Sequence, residues 1–148
     1  MYQRLKGFNV QHILIDDPYA HTETIPTDPG TTHIAHLEDH LAQCDIICLH
    51  VPLTPETKHK YSHAFFDKLK HNAIIINLAR GGIIDEEALI DFLEKNPEAG
   101  AYIDVWEQEP HITPHLQQLL QLPNFLRTPH IGGMTQESVE RMHQFDLS

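Results

Sequence analysis

Residues 73–89, AIIINLARGGIIDEEAL, decide how the rest of this chain is interpreted. Residues 73–76 are apolar and mostly β-branched, a run that is too short for a helix and is typical of a strand buried on both faces of a parallel sheet. Arg80 follows this strand, two glycines come next, and Asp85 stands where the N-cap of a helix belongs. Ligands bind at the carboxyl ends of strands in open α/β sheets, so Arg80 is a candidate clamp for an anion.

The alternation of strand and helix continues along the whole chain. Residues 1–7 predict the end of a helix, and residues 18–32, which carry three prolines, predict a loop. Hydrophobic patterns predict five strands, over 10–15, 45–49, 73–76, 101–105 and 125–127. They predict helices over 33–43, over 62–70, from Asp85, over 114–121 and from about Thr135. These spacings suit βαβ crossovers, so the predicted fold class is α/β, a Rossmann-like, doubly wound domain with a mainly parallel sheet.

Composition narrows the class of protein. A length of 148 residues suits one domain, and 41% hydrophobic residues suffice for a core. The formal net charge of −11 argues against nucleic acid as a partner, because phosphate binding needs a basic patch. No apolar run reaches the roughly 18 residues of a membrane span, and no signal peptide opens the chain. Cys44 and Cys48 form no disulfide framework, so we expect a cytoplasmic protein with no membrane partner.

Three polar residues follow the ends of predicted strands: Arg80, Glu109 and His130. Because strand carboxyl ends share one edge of a parallel sheet, these side chains are expected to converge on one crevice. Arginine matches a carboxylate with a fixed fork of donors, histidine exchanges a proton near neutral pH, and a neighbouring carboxylate orients the ring. Each residue alone has an ordinary interpretation, as a surface ion pair, a turn or a solvated histidine. Together they provide what hydride transfer to or from a 2-hydroxy acid requires.

Longer motifs around these residues identify a family. They are residues 50–57 (HVPLTPET), residues 77–82 (NLARGG) followed by Asp85 and Glu86, residues 104–110 (DVWEQEP) and residues 128–133 (TPHIGG). In order and spacing these motifs, with the strand end at Asp17, strongly resemble the D-isomer-specific 2-hydroxyacid dehydrogenases over nearly the whole chain. The resemblance implies NAD-dependent hydride transfer between a 2-hydroxy acid and its 2-keto acid, in a homodimer.

The resemblance also assigns roles to residues. Arg80 would bind the substrate carboxylate, His130 would be the acid/base, and Glu109 would support His130. Asp17 would accept the hydroxyls of the adenosine ribose, although a plain Asp-Asp-Pro turn explains the same residues. The remaining cofactor-binding positions implied are Asp104, near the nicotinamide carboxamide, and Val51, Pro52, Leu78, Ala79 and Gly133, which would line the groove largely through their backbone.

One expected feature of the family is missing from the sequence. Members begin this domain with a strand and a G-x-G-x-x-G loop that holds the pyrophosphate, and no such pattern occurs here. In the usual strand order 3-2-1-4-5-6 the absent first strand is central, so strand 10–15 would be separated from strand 73–76 or would pair with it directly. We therefore expect residues 1–148 to be a partial NAD-binding domain without the substrate domain, binding NAD weakly and turning over little substrate.

Other interpretations stay open at this point. The same fold serves as a non-catalytic NAD(H)-sensing or protein-binding module, and an inactive truncated dehydrogenase would carry the same motifs. Metal binding is less favoured, because ligands strung along a straight helix at 33–43 would span about 16 Å, too far for one ion; the residues concerned are His33, His36, His40 and Cys44. We predict no metal site. Among substrates, phosphoglycerate, glyoxylate, hydroxypyruvate and erythronate 4-phosphate are all open, with Trp106 and Met134 as possible pocket walls.

Overall fold

The computed structural model describes residues 2–19, 29–34 and 36–145, and the chain divides into two compact units between His40 and Leu41. The first unit contains a short helix and two strands, namely α1 (Tyr2–Lys6), β1 (Ile13–Ile15) and β2 (Thr31–His33). The expected helix end is confirmed, because the Gly7 N–H donates to the Arg4 carbonyl at 3.1 Å. β1 and β2 are parallel, with Ile13 opposite Thr31.

The expectations for residues 18–43 were partly wrong, and the parts of them that concern residues 20–28 and 35 lie outside the described residues. Thr31–His33 forms strand β2 rather than the end of a loop or the start of a helix. The helix expected over 33–43 does not form; two short 3-10 helices, Leu37–Asp39 and Leu41–Gln43, take its place. Spacing of apolar residues by three or four suits successive 3-10 turns as well as an α-helix, and Leu41 is still fully buried. The single α-helix that was expected to carry the candidate metal ligands is therefore not formed.

The second unit is built around four parallel strands. Their order in the sheet follows the chain, and they are β3 (Ile46–Leu49), β4 (Ile74–Asn77), β5 (Gly100–Ile103) and β6 (Phe125–Arg127). The helices of this unit are α2 (His63–Phe66), α3 (Glu86–Lys95), α4 (Pro114–Leu119) and α5 (Gln136–Phe145). The strand expected at 125–127 has the expected bounds, whereas the helix expected over 62–70 ends at Phe66.

Helix α3 begins where the sequence predicted. The Asp85 carboxylate caps it by accepting from the N–H groups of Glu87 at 3.1 Å and Ala88 at 3.3 Å. Asp85 thus satisfies two of the N–H groups that a helix start leaves without partners, and its charge lies at the favourable end of the helix dipole. This cap fixes where the turn after β4 ends and α3 starts.

The two faces of the four-stranded sheet differ. One face packs against the helices, with Ile75, Ile103, Leu89 and Leu116 all nearly inaccessible to solvent. Successive residues of a strand point to opposite faces. On the other face, Ile46 is 53% exposed, Ile74 is 42% exposed and Leu126 is 65% exposed.

This architecture is Rossmann-like and incomplete. Among the described residues all strand pairs are parallel, and in the second unit a helix lies between each strand and the next, as expected for a doubly wound α/β fold. The direct pairing of strand 10–15 with strand 73–76, one of the two arrangements expected without the central strand, is not formed by the described strands, since β1 pairs with β2 and β4 pairs with β3 and β5. No helix within the described residues is long and apolar enough to cross a bilayer.

Candidate active site

The predicted catalytic residues lie on three turns of the second unit, each after the end of a strand. We call them the arginine turn (residues 78–82, after β4), the glutamate turn (residues 104–110, after β5) and the histidine turn (residues 128–133, after β6). β4, β5 and β6 are neighbouring parallel strands, so the three turns leave the same edge of the sheet.

Asn77, the residue before the arginine turn, binds the backbone of that turn. Asn77 is only 1% exposed. Its side-chain oxygen accepts from the Ala79 N–H at 3.0 Å, and its side-chain nitrogen donates to the Arg80 carbonyl at 3.1 Å. Arg80 itself is exposed, and its guanidinium donates to the Ala79 carbonyl at 2.6 Å. Among the described residues no carboxylate lies within ion-pair distance of Arg80. An ordinary surface ion pair within this part of the chain therefore does not explain Arg80.

Glu109 and His130 form a direct pair. His130 Nδ1 lies 2.6 Å from Glu109 Oε2, and the other carboxylate oxygen accepts from the Trp106 N–H at 2.9 Å. With Glu109 ionised, Nδ1 carries the proton and donates to the carboxylate, which leaves Nε2 as the ring atom available to a ligand. The imidazole side chain is 50% exposed and the carboxylate 26%, so the pair is open to solvent on the histidine side.

His130 adopts an unusual backbone conformation that Asp104 supports. Its φ is +54°, a left-handed value that non-glycine residues adopt at a cost of about 1–3 kcal/mol. Asp104, only 2% exposed, accepts from the Thr128 hydroxyl and from the N–H groups of Ile131 at 2.9 Å and Gly132 at 2.8 Å. All three donors belong to the histidine turn, so Asp104 clamps the turn around His130.

The same contacts control the ionisation of Asp104. Burial alone would raise the pKa of this carboxyl. The hydrogen bonds from Thr128, Ile131 and Gly132, together with the nearby His130, more than compensate and hold its pKa below the usual value. Asp104 is therefore a buried carboxylate whose charged form is stabilised by the turn that it clamps.

The arginine and glutamate turns touch through their backbones. A Cβ atom added at Gly81 would lie 2.0 Å from the Trp106 carbonyl oxygen, so no side chain fits there. The Asp104 N–H donates to the Asn77 carbonyl at 3.0 Å, and Glu107 N–H donates to the α3 residue Glu86 at 3.1 Å. A continuous set of contacts thus joins Arg80 to the Glu109–His130 pair.

A fourth segment, residues 50–60, docks on these turns. His59 donates its N–H to the Gly82 carbonyl at 2.8 Å, and its Nε2 lies 2.9 Å from Glu107 Oε2. Lys58 lies 3.4 Å from the same carboxylate. The hydrogen bond to His59, assisted by both positive charges and opposed by partial burial, lowers the pKa of Glu107. Within the segment, the Thr57 hydroxyl donates to the Pro52 carbonyl at 2.6 Å.

The predicted cofactor-binding residues fall into two groups. Asp17 belongs to the first unit, where its carboxylate accepts from the Tyr19 N–H at 3.0 Å, as in an Asx turn. The other positions lie in the second unit: Leu78 is 41% exposed, a Cβ added at Gly133 meets nothing within 4 Å, and Ala79 is half-buried. Val51 is half-buried and Pro52 exposed after β3. The roles assigned to all of these residues stay predictions.

The supporting residues of this site were not predicted from the sequence. Asn77 and His59 received no role, and Asp104 received a role at the cofactor but none in the histidine turn. The polar Asn77 at the end of an apolar strand was the one local signal available. The partners of His59 and Asp104 lie more than 20 residues away in the chain, so no local pattern indicates them. No group of three metal-binding side chains occurs in residues 2–19, 29–34 and 36–145.

Comparison with known proteins identifies the family. The D-isomer specific 2-hydroxyacid dehydrogenase NAD-binding-domain family matches residues 1–132. The chain is 39% identical over 136 residues to D-3-phosphoglycerate dehydrogenase of Methanocaldococcus jannaschii, covering 92% of this chain and 25% of that protein. It is 37% identical over 142 residues to glyoxylate reductase of Thermococcus litoralis, covering 95% of this chain and 40% of that protein.

A solved structure gives the same result. The NAD-complexed D-isomer specific 2-hydroxyacid dehydrogenase of Lactobacillus delbrueckii ssp. bulgaricus superposes with a TM-score of 0.84 at 26% identity, covering 98% of this chain and 46% of that one. Parallel strands with ligand-accessible turns at their carboxyl edge define a Rossmann-like nucleotide-binding protein, whose cofactor in this family is NAD. The chain belongs to the D-isomer specific 2-hydroxyacid dehydrogenase family. It spans a quarter to just under half of the length of these relatives.

Proposed function

We propose that this chain carries the catalytic residues of an NAD-dependent dehydrogenase that interconverts a D-2-hydroxy acid and its 2-keto acid. The observation that carries the proposal is the Glu109–His130 pair, in which Nδ1 and Oε2 lie 2.6 Å apart. The arginine turn, which leaves the same edge of the sheet, exposes Arg80 to solvent. A carboxylate-oriented imidazole beside an arginine matches the two groups of a 2-hydroxy acid that need recognition, its hydroxyl and its carboxylate.

In this proposal each residue acts on a defined group of the substrate. Arg80 binds the carboxylate with two parallel N–H donors, which orients the adjacent carbon. His130 Nε2 takes the hydroxyl proton during oxidation and returns a proton to the keto oxygen during reduction. Glu109 holds the ring through Nδ1 and stabilises the imidazolium that forms. NAD, when bound, supplies the chemistry of accepting or giving the hydride.

The positions proposed to hold the cofactor are Asp17 for the ribose hydroxyls, Asp104 near the nicotinamide carboxamide, and Val51, Pro52, Leu78, Ala79 and Gly133 along the groove. Support comes from the open space at Gly133 and the exposure of Leu78. We also propose a cytoplasmic homodimer, which sedimentation of the purified chain tests.

The test compares wild type with His130→Asn and His63→Asn. Asparagine tolerates a left-handed backbone, so His130→Asn removes the acid/base without forcing the turn to move. His63→Asn is the matched control, because His63 is also an exposed histidine paired with a carboxylate, Asp91, at 3.0 Å. NADH oxidation with glyoxylate, the substrate class named for one relative, is followed alongside NADH binding by fluorescence.

Because this chain is expected to turn over little substrate, we expect His130→Asn to remove detectable turnover while NADH binding and the control stay unchanged. NADH binding with no turnover in wild type would instead support a non-catalytic NAD(H)-sensing module. Absence of both binding and turnover would contradict the proposal. Saturable micromolar binding of NADH would contradict the expectation that the chain alone binds weakly.

A further inference from the structure

We propose that Asn77 is a positioning residue that fixes the shape of the arginine turn and thereby the direction of the Arg80 guanidinium. The role of Arg80 as the carboxylate clamp rests on the proposed function, whereas the bracing of the turn by Asn77 does not. Asn77 is, at 1%, the least exposed of the buried polar residues described. Its amide makes both of its described hydrogen bonds to the turn that follows it, to Ala79 and Arg80.

The two hydrogen bonds from residue 77 to the arginine turn need a side-chain amide, which has both an acceptor and a donor. The acceptor end binds the Ala79 N–H and the donor end binds the Arg80 carbonyl, so one planar group joins two peptide units of the turn. Aspartate has the same shape but carries no donor when ionised, and its charge would repel the Arg80 carbonyl. Serine is too short to reach both peptide groups. Leaving partly buried backbone groups without partners is costly, so loss of either end of the amide is expected to loosen the peptide unit which that end binds.

The position of Asn77 explains why these two hydrogen bonds act on Arg80. Asn77 is the last residue of β4, and its carbonyl accepts from Asp104 N–H at 3.0 Å, so the backbone there is fixed by the sheet. The turn is confined again at Gly81, where the Trp106 carbonyl leaves no space for a side chain. Arg80 therefore extends from a short segment held at both ends, and Asn77 determines the course of the peptide between them.

Asn124 provides a matched control. Its amide also donates to main-chain carbonyls, those of Leu93 at 3.1 Å and Asn96 at 3.3 Å, and the residue is partly buried. These partners belong to α3 and its C-cap, outside the three turns. Asn124→Asp makes the same chemical change as Asn77→Asp, so a merely structural role for Asn77 predicts similar effects of the two substitutions on stability and none on substrate use.

The experiment uses the whole chain and four proteins: wild type, Asn77→Asp, Asn77→Ala and Asn124→Asp. Amide hydrogen exchange by NMR reports on the turn without any turnover. We expect exchange at Ala79 to rise about tenfold in Asn77→Ala and to stay near wild type in Asn77→Asp and Asn124→Asp, since only Asn77→Ala loses the acceptor. Unchanged exchange at Ala79 in Asn77→Ala would overturn the inference.

Steady-state kinetics with glyoxylate and NADH then test the effect on Arg80. We expect both Asn77 variants to raise KM for glyoxylate about tenfold while KM for NADH changes less than about twofold, with Asn124→Asp unchanged in both. Equal KM values for glyoxylate in all four proteins would overturn the assignment to Arg80. An inactive wild type would contradict the proposed function, and the exchange measurement would still decide whether Asn77 fixes the turn.

Discussion

At the scale of single residues, the site depends on buried polar side chains that bind backbone rather than substrate. Asp104 is the clearest case, because its carboxylate is held by one hydroxyl and two N–H groups of the histidine turn. Hydrogen bonds to a charged acceptor are among the stronger ones in proteins, and their loss leaves the turn without its support. His130 lies inside that turn in a left-handed conformation that requires support from its surroundings.

We predict that Asp104→Asn lowers the free energy of unfolding at pH 7 by about 1–3 kcal/mol, because the substitution places an amide donor against one of the two N–H groups that the carboxylate binds. The pKa of Asp104 is lower in the folded chain than its ordinary value of 3.8, so the folded state binds its proton less readily than the unfolded state. The stabilisation is therefore complete above the unfolded pKa and is lost as pH falls through the folded pKa.

Urea unfolding as a function of pH measures this effect. The free energy of unfolding of wild type should fall below about pH 4 more steeply than that of Asp104→Asn. Asp67→Asn, which makes the same charge change at an exposed residue, serves as the control and should keep the wild-type slope. Parallel slopes for wild type and Asp104→Asn would contradict the prediction.

At the scale of elements, local signals in the sequence sufficed where the structure depends on local forces. The strands at 73–76 and 125–127 and the cap at Asp85 were predicted because a buried strand and a helix start have short-range signatures. β2 was missed because its residues, Thr-Thr-His, are polar and are stabilised by pairing with β1. The prediction of an α-helix over 33–43 was wrong because the spacing of apolar residues does not distinguish 3-10 turns from an α-helix.

In the candidate site, too, features with a local signature were predictable and contacts between distant residues were not. The motifs around Arg80, Glu109 and His130 identified the three turns, and the Glu109–His130 contact followed from the shared sheet edge. The contacts that bind one turn to another, such as Gly81 against Trp106, were not predictable, because they depend on how strands pair. Sequence therefore located the candidate site residues, and the structure was needed to find the contacts that hold their turns in place.

We predict that Gly81→Ala separates the arginine turn from the glutamate turn. The new methyl group would lie 2.0 Å from the Trp106 carbonyl oxygen, so the backbone of one turn must move. We expect a loss of about 1–3 kcal/mol in the free energy of unfolding, as for other overpacked sites, and a rise in KM for glyoxylate. Thermal unfolding and steady-state kinetics measure the two effects.

Gly100→Ala is the control for this substitution. A Cβ added at Gly100 meets only the Asn124 carbonyl oxygen, at an ordinary 3.8 Å. This variant should keep the kinetic constants of wild type. If Gly81→Ala and Gly100→Ala behave alike, the two turns are not in the close contact described.

At the scale of the whole molecule, the chain is a family member that spans a quarter to just under half of its relatives' length. The fold class was predictable from alternating strands and helices, and the four-stranded sheet confirms it. The sequence predicted one partial domain over residues 1–148 and did not indicate a division into units of residues 1–40 and 41–148. The Glu109–His130 pair and Arg80 lie in the second, larger unit.

The exposed side of the four-stranded sheet has a consequence for how this protein behaves in solution. Ile46, Ile74 and Leu126 present apolar surface to water, and such surface promotes self-association. A net charge of −11 at pH 7 keeps molecules apart by repulsion, but that repulsion vanishes near the isoelectric point, about 5.5. Light scattering should therefore rise sharply as pH approaches this value, and Leu126→Lys should weaken the rise. A mildly alkaline buffer of low ionic strength is accordingly the condition in which this chain should remain monodisperse.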